Sequence, residues 1–194
     1  MLNLQTYKTP TESHSATEIQ TALNLVLNSK NIGFIDLPHR TELWNQSEKL
    51  GSEIRNHYDH LIVVGIGGSS MGPRALAEFS GNTNISFLDN VDSIETENVL
   101  KKIHTNEKIA WLFISKSGTT IEVLWTIELI QQRYFELGKK LWPHTFYITE
   151  LTDNSLHNLS RQHKRPCLEI PLDVGGRFSV LSPVGLVVAS FLDL

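Results

Sequence analysis

One cysteine in 194 residues excludes an internal disulfide, since Cys167 stands alone. No run approaches the roughly 18 apolar residues that span a bilayer, and residues 1–10 lack the basic-then-apolar order of a secretion signal. The expectation is a cytoplasmic protein with no membrane partner. Basic charge is scarce too: 17 Lys and Arg against 21 Asp and Glu leave a formal net charge of −4. Such a chain has no general field for attracting nucleic acid, so an anionic ligand must be captured by a local site. Repeats and low-complexity segments are absent. What is present, 40 % hydrophobic and 20 % charged residues, is the composition of a folded domain. A chain of this length buries roughly 70 % of its unfolded surface.

Residues 1–40 read as a helical extension. Residues 1–14 are polar and aperiodic. From Ala16 to Asn28, Ile19, Ala22, Leu23, Val26 and Leu27 recur at helical spacing and require a surface to lie on. Asn31-Ile32-Gly33 ends that helix, and Pro38-His39-Arg40 reads as a loop. A second helix starts near Thr41 with Leu43, Leu50, Ile54 and Tyr58 along one side. From His60 the pattern alternates. Strands are expected at 61–64, 85–88, 109–114, 146–148 and 167–170, and helices at 73–79, 93–103, 121–137 and 155–162. Short apolar runs separated by helices predict βαβ units and a mostly parallel sheet with helices on both faces. Residues 41–194 are therefore expected to form one α/β domain. Its ligands would bind beyond the carboxyl ends of the strands.

Three loops at such ends carry chemistry. Gly65-Ile66-Gly67-Gly68-Ser69-Ser70-Met71-Gly72-Pro73 follows the first strand, its glycines permitting close approach of backbone to ligand and Pro73 suiting a first helical turn. Gly65 and Gly67 also begin a dinucleotide fingerprint, with Asp89 as the ribose acid, but Ser70 replaces the third glycine. The second loop, Ser115-Lys116-Ser117-Gly118-Thr119-Thr120, joins strand to helix, where unpaired N–H groups and the helix dipole favour an anion. Thr119 and Glu122 fit a capping box, which leaves Ser115, Lys116, Ser117 and Thr120 to ring a phosphate. In the third, Asp173-Val174-Gly175-Gly176-Arg177-Phe178-Ser179, two glycines project a permanently charged fork that could meet negative charge on oxygen. Ser182-Pro183 then caps a final helix.

In identity, order and spacing, Gly65–Ser69, Ser115–Thr120 and Gly175–Ser179 together resemble the glucose-6-phosphate isomerase family. The resemblance covers about residues 41–194. It implies a three-layer α/β/α sandwich of the sugar-isomerase type, a homodimer, and interconversion of glucose 6-phosphate and fructose 6-phosphate in glycolysis and gluconeogenesis. By the same resemblance, Ser115, Ser117 and Thr120 with the Lys116 backbone would hold the phosphate, and Gly68 and Ser69 would lie against the sugar. Arg177 would stabilise an enediolate while a carboxylate base moves a proton between C1 and C2. That chemistry requires no metal and no nicotinamide cofactor.

The family takes its base, its ring-opening histidine and a late lysine from segments beyond the glycine-arginine motif. The final run Val184–Leu192 is apolar on nearly every side, which suits a helix buried all round, and its covering partner is expected to be missing. The chain therefore reads as the N-terminal part of a longer enzyme, inactive by itself. Glu122, Glu150 and Glu169 are not assigned as the base, and His60, His144 and His157 read as surface or loop residues. The alternative is a non-catalytic sugar-phosphate sensor, with a nicotinamide-dependent enzyme a distant third.

Overall fold

Each strand expected from an apolar run is present in the computed structural model of the chain, which describes residues 15–27, 32–104 and 108–194. They are β1 (His60–Val64), β2 (Ile85–Leu88), β3 (Ile109–Ile114), β4 (Thr145–Thr149) and β5 (Cys167–Glu169). They form one sheet in the order β2-β1-β3-β4-β5, parallel throughout. β1, β3 and β4 are buried along their whole length. That is why they read as continuous apolar runs and not as alternating ones.

Side chains one residue apart face opposite layers. Leu61, Val63, Ala110, Leu112, Ile114, Phe146 and Ile148 share a core with Leu50 and Ile54 of α2 (Thr41–His57), Ala77 of α3 (Gly68–Ser80) and the apolar face of α7 (Pro183–Leu192). Ile62, Val64, Trp111, Phe113 and Tyr147 face the other way. They meet Leu100 of α4 (Ser93–Leu100), Val123, Ile127 and Ile130 of α5 (Ile121–Glu136), and Leu156 of α6 (Ser155–Gln162). The result is a three-layer α/β/α sandwich. At the centre of the second layer Trp111 Nε1 donates to Tyr134 Oη at 2.8 Å, with both residues buried. Tyr134→Phe is expected to cost about 1–2 kcal/mol, because the buried indole N–H loses its acceptor. The midpoint of urea unfolding reads this directly, and an unchanged midpoint would show the indole satisfied elsewhere.

Several expectations are corrected. α7 does have a covering partner. α2 lies against it closely enough that a Cβ on Gly51 would sit 2.5 Å from Val187 O and Ser190 Cβ, and Ser190 Oγ donates to Glu48 O at 2.8 Å. Pro38-His39 is not an open loop: Leu37–His39 forms a 3-10 turn with Pro38 at its start and Leu37 fully buried. His60 is neither a surface nor a loop residue. It is buried in β1, with Nε2 2.9 Å from Ser86 Oγ and 3.2 Å from Lys102 Nζ. α1 (Ala16–Leu27) forms as its periodicity requires, yet Ile19, Leu23, Val26 and Leu27 stay exposed, so among the described residues nothing covers that face. Residues 1–14, the expected helix end at Asn28, and Asn31 of the terminator lie outside the described residues.

Candidate functional site

In a parallel sheet a crevice opens where neighbouring strands send their following helices to opposite faces. In the order β2-β1-β3-β4-β5 this happens between β1 and β3. Val64 pairs with Phe113, so the loops after these strands leave the sheet side by side, the first into α3 and the second into α5. Both helix N-termini border an open cleft of about 500 Å³. The positive ends of two helix dipoles therefore border it.

The first loop turns into helix at once. Ser70 N and Met71 N donate back to Gly67 O at 3.0 and 2.9 Å, so α3 starts at Gly68. Pro73, expected in the first turn, is its sixth residue. The competing dinucleotide reading loses its ribose acid here, because the Asp89 carboxylate accepts from Arg74 Nη2 at 2.7 Å.

The second loop is pinned to the neighbouring strand. Ser115 N donates to Ile148 O, while Lys116 O accepts from Glu150 N at 3.1 Å and from Thr149 Oγ1 at 3.2 Å. Gly118 adopts the left-handed conformation at φ 64° and turns the chain into α5. Two expectations fail in this loop. Thr119 and Glu122 do not form a capping box: Thr120 is the N-cap, α5 has no side-chain cap, and Thr119 Oγ1 lies 3.2 Å from Ser117 Oγ. Nor does Ser115 line the cleft. It is buried, with its Oγ 2.8 Å from Thr120 Oγ1.

The third loop closes the cleft from the side. Gly176–Phe178 is a 3-10 turn in which Ser179 Oγ donates to Gly176 O at 2.7 Å, and Arg177 projects into solvent at the cleft edge. Its backbone rests on the first loop, since a Cβ on Gly68 would lie 2.1 Å from Gly176 O. Ser182 caps α7 with Pro183 at its start, as expected.

Six of the seven candidate residues thus line one cleft: Gly68, Ser69, Lys116, Ser117, Thr120 and Arg177. Ile66, Gly176 and Glu150 complete it. Glu150, one of three carboxylates left unassigned from the sequence, stands just past the carboxyl end of β4, where a parallel sheet places ligands. Lys116 Nζ lies 3.4 Å from Glu150 Oε1 and donates to Leu172 O at 3.3 Å. The lysine charge is therefore spent largely on Glu150. Arg177 has no ion-pair partner among the described residues and supplies the uncompensated positive charge. Beyond the cleft, the Arg40 guanidinium binds the Asp173 carboxylate through two bonds and holds its pKa below the usual carboxylate range. Among the described residues no three His, Cys, Asp or Glu side chains gather to hold a metal ion.

Comparison with known proteins agrees with this geometry. A glucose-6-phosphate isomerase of Carboxydothermus hydrogenoformans is 33 % identical over 174 residues, covering 82 % of this chain and 37 % of that protein. One of Campylobacter jejuni is 31 % identical over 197 residues, covering 98 % and 48 %. A solved structure of a hypothetical protein from Thermus thermophilus superposes with a TM-score of 0.79 at 28 % identity, covering 91 % of this chain and 43 % of that one. The chain thus spans less than half the length of each of these three relatives. The profile described as phosphoglucose isomerase matches residues 43–193, a span that contains all three loops of the cleft, and the chain therefore belongs to the phosphoglucose isomerase family.

Proposed function

We propose that this chain carries the sugar-phosphate cradle of a glucose-6-phosphate isomerase acting in glycolysis and gluconeogenesis, in the cytoplasm and as a homodimer. The observation that carries this reading is the convergence of Ser117, Thr120 and two helix N-termini on one cleft edged by Arg177. The phosphate is held by the Ser117 and Thr120 hydroxyls and the loop amides, Thr120 being set by Ser115. The sugar lies along Gly68 and Ser69. Arg177 meets the negative charge that develops on oxygen when a proton moves between C1 and C2. Bonds to a charged phosphate contribute about 1.5–3 kcal/mol each, against about 0.3–1 kcal/mol from an exposed helix dipole. The hydroxyls therefore dominate affinity.

Isomerisation also demands a carboxylate able to take that proton. Glu150 is the carboxylate in the cleft, and it is committed to Lys116. The expected result is that the 194-residue chain binds glucose 6-phosphate weakly and does not turn it over in an assay coupled to fructose 6-phosphate consumption. Ser117→Ala is expected to weaken binding about tenfold, and Arg177→Ala only about threefold, the size of an exposed ion pair. In a full-length version, Arg177→Ala lowers the rate more than the affinity. Turnover by the purified chain near the rate of complete isomerases would overturn the assignment of an inactive portion. Absence of any hexose phosphate binding would overturn the cradle. A sensor that binds sugar phosphate to switch a partner is the second reading, also favoured by the pairing of Glu150 with Lys116. It is separated from the first by whether the full-length protein isomerises.

A further inference from the structure

The loop bearing Arg177 contains two consecutive glycines, and a glycine pair by itself leaves the following side chain poorly directed. Its surroundings supply the missing constraint. On one side of Arg177, Asp173 accepts from Arg40 Nη1 at 3.0 Å and from Nη2 at 2.5 Å, a fork-to-fork pair. The same residue's carbonyl accepts from Gly33 N at 3.0 Å, and Gly33 lies so close that a Cβ there would sit 2.2 Å from the Asp173 carboxylate. On the other side, the Phe178 ring stacks on Phe34 with centroids 4.7 Å apart and planes 17° from parallel. Arg177 is thus bracketed by two ties to one short segment.

That segment is itself anchored. Leu37 is fully buried, its carbonyl accepts from Trp44 Nε1 at 2.9 Å, and Arg40 Nε reaches Asp36 at 3.3 Å. Two 3-10 turns, Gly33–Ile35 and Leu37–His39, keep it compact. Opposite it, Gly68 abuts the backbone of Gly176 and Lys116 holds Leu172 O. The Arg40–Asp173 pair is half-buried, with side-chain exposures of 24 % and 34 %, so it is screened less than a surface pair. Neither partner touches the cleft.

From these contacts we infer that Gly33–Arg40 is a clamp, with Arg40 and Phe34 as positioning residues that fix the direction of Arg177 by holding Asp173 and Phe178. The ligand consequence rests on the sugar-phosphate reading above, whereas the ordering of the loop does not. Arg40 acts through Asp173 and Arg177 and never meets the ligand.

Hydrogen exchange on the unliganded chain tests the ordering. In Arg40→Ala, the amides of 174–182 are expected to exchange at least tenfold faster, while those of β1 and β3 keep their rates, because only the local opening is eased. Arg40→Lys restores part of the protection, since an ammonium reaches Asp173 but cannot form the fork. Phe34→Ala loosens 176–180 independently of charge. Unchanged exchange in 174–182 would overturn the clamp. So would an equal rise across β3, which would mean general destabilisation. A double-mutant cycle tests the direction given to Arg177: the threefold weakening of glucose 6-phosphate binding by Arg177→Ala should shrink toward one in the Arg40→Ala background. A threefold effect in both backgrounds would overturn the positioning role. If the parent chain binds no glucose 6-phosphate, the sugar-phosphate reading falls, and the exchange rates alone decide the clamp.

Discussion

Gly118→Ala is expected to lower the unfolding free energy by about 2–4 kcal/mol and to abolish measurable hexose phosphate binding. Two costs add. Gly118 sits at φ 64°, where an alanine pays about 1–2 kcal/mol against its own backbone. The new Cβ would also lie 1.8 Å from Asn154 Oδ1, and that atom caps α6 by accepting from His157 N at 2.9 Å. Displacing the cap costs about 0.5–2 kcal/mol more. For a chain of this length, the sum corresponds to a fall in Tm of about 5–15 °C.

The functional part of that result follows from what Asn154 holds with its other end. Asn154 Nδ2 donates to Glu150 O at 2.8 Å, and Leu156 N donates to Gly118 O at 3.0 Å. Gly118, Asn154 and Glu150 therefore form one packed corner, and Glu150 faces Lys116 within the cleft. Moving Asn154 shifts the backbone of Glu150 and, with it, the second loop. Thermal unfolding and a glucose 6-phosphate titration on the same sample separate the two effects. Asn154→Ala isolates the strain at Gly118, because it removes the cap and the tie to Glu150 without straining that glycine. A Gly118→Ala protein with unchanged affinity would show that the corner does not set the cradle.

How far such a corner can be read from sequence depends on the range of its contacts. The strands were legible because burial on both faces makes each a continuous apolar run, as in Ile109–Ile114. The loops were legible because glycines and hydroxyls at strand ends have few other uses. A local ambiguity of one residue was enough to mislead in the second loop. Thr119-x-x-Glu122 has capping-box spacing, yet the chain enters the helix at Thr120, which leaves Thr119 to Ser117 and turns Ser115 inward. The remaining misses are contacts between distant segments. Arg40 and Asp173 are 133 residues apart, and nothing local to either announces the pair. α7 looked uncovered because its cover, α2, precedes the whole sheet in the chain and approaches at Gly51. Glu150 was left unassigned beside Glu122 and Glu169; its place after β4 sets it apart from Glu122, but nothing local announces its pairing with Lys116.

A second large effect, on the placement of Arg177, is expected from Gly68→Ala. Here the obstacle is the Gly176–Arg177 peptide group: the added Cβ would lie 2.1 Å from Gly176 O, 2.5 Å from Gly176 C and 2.9 Å from Arg177 N. No flexible side chain can swing aside, so the first and third loops must part by roughly an ångström. Overpacking of this kind costs about 1–3 kcal/mol, partly offset by the better helix propensity of alanine. The stability loss is thus expected to be smaller than for Gly118→Ala, and the damage to function greater than the stability loss suggests. Parting the loops carries Arg177 away from Ser69 and Thr120, and a misplacement of about 1 Å can cost on the order of a hundredfold in rate. In a phosphoglucose isomerase bearing the same two loops, the expected outcome is a rate reduced about a hundredfold with Tm lowered by only a few degrees. In the 194-residue chain, faster hydrogen exchange at 176–179 should accompany weaker glucose 6-phosphate binding. Normal exchange there with normal binding would mean that the two loops are not in contact as the Gly68–Gly176 approach requires.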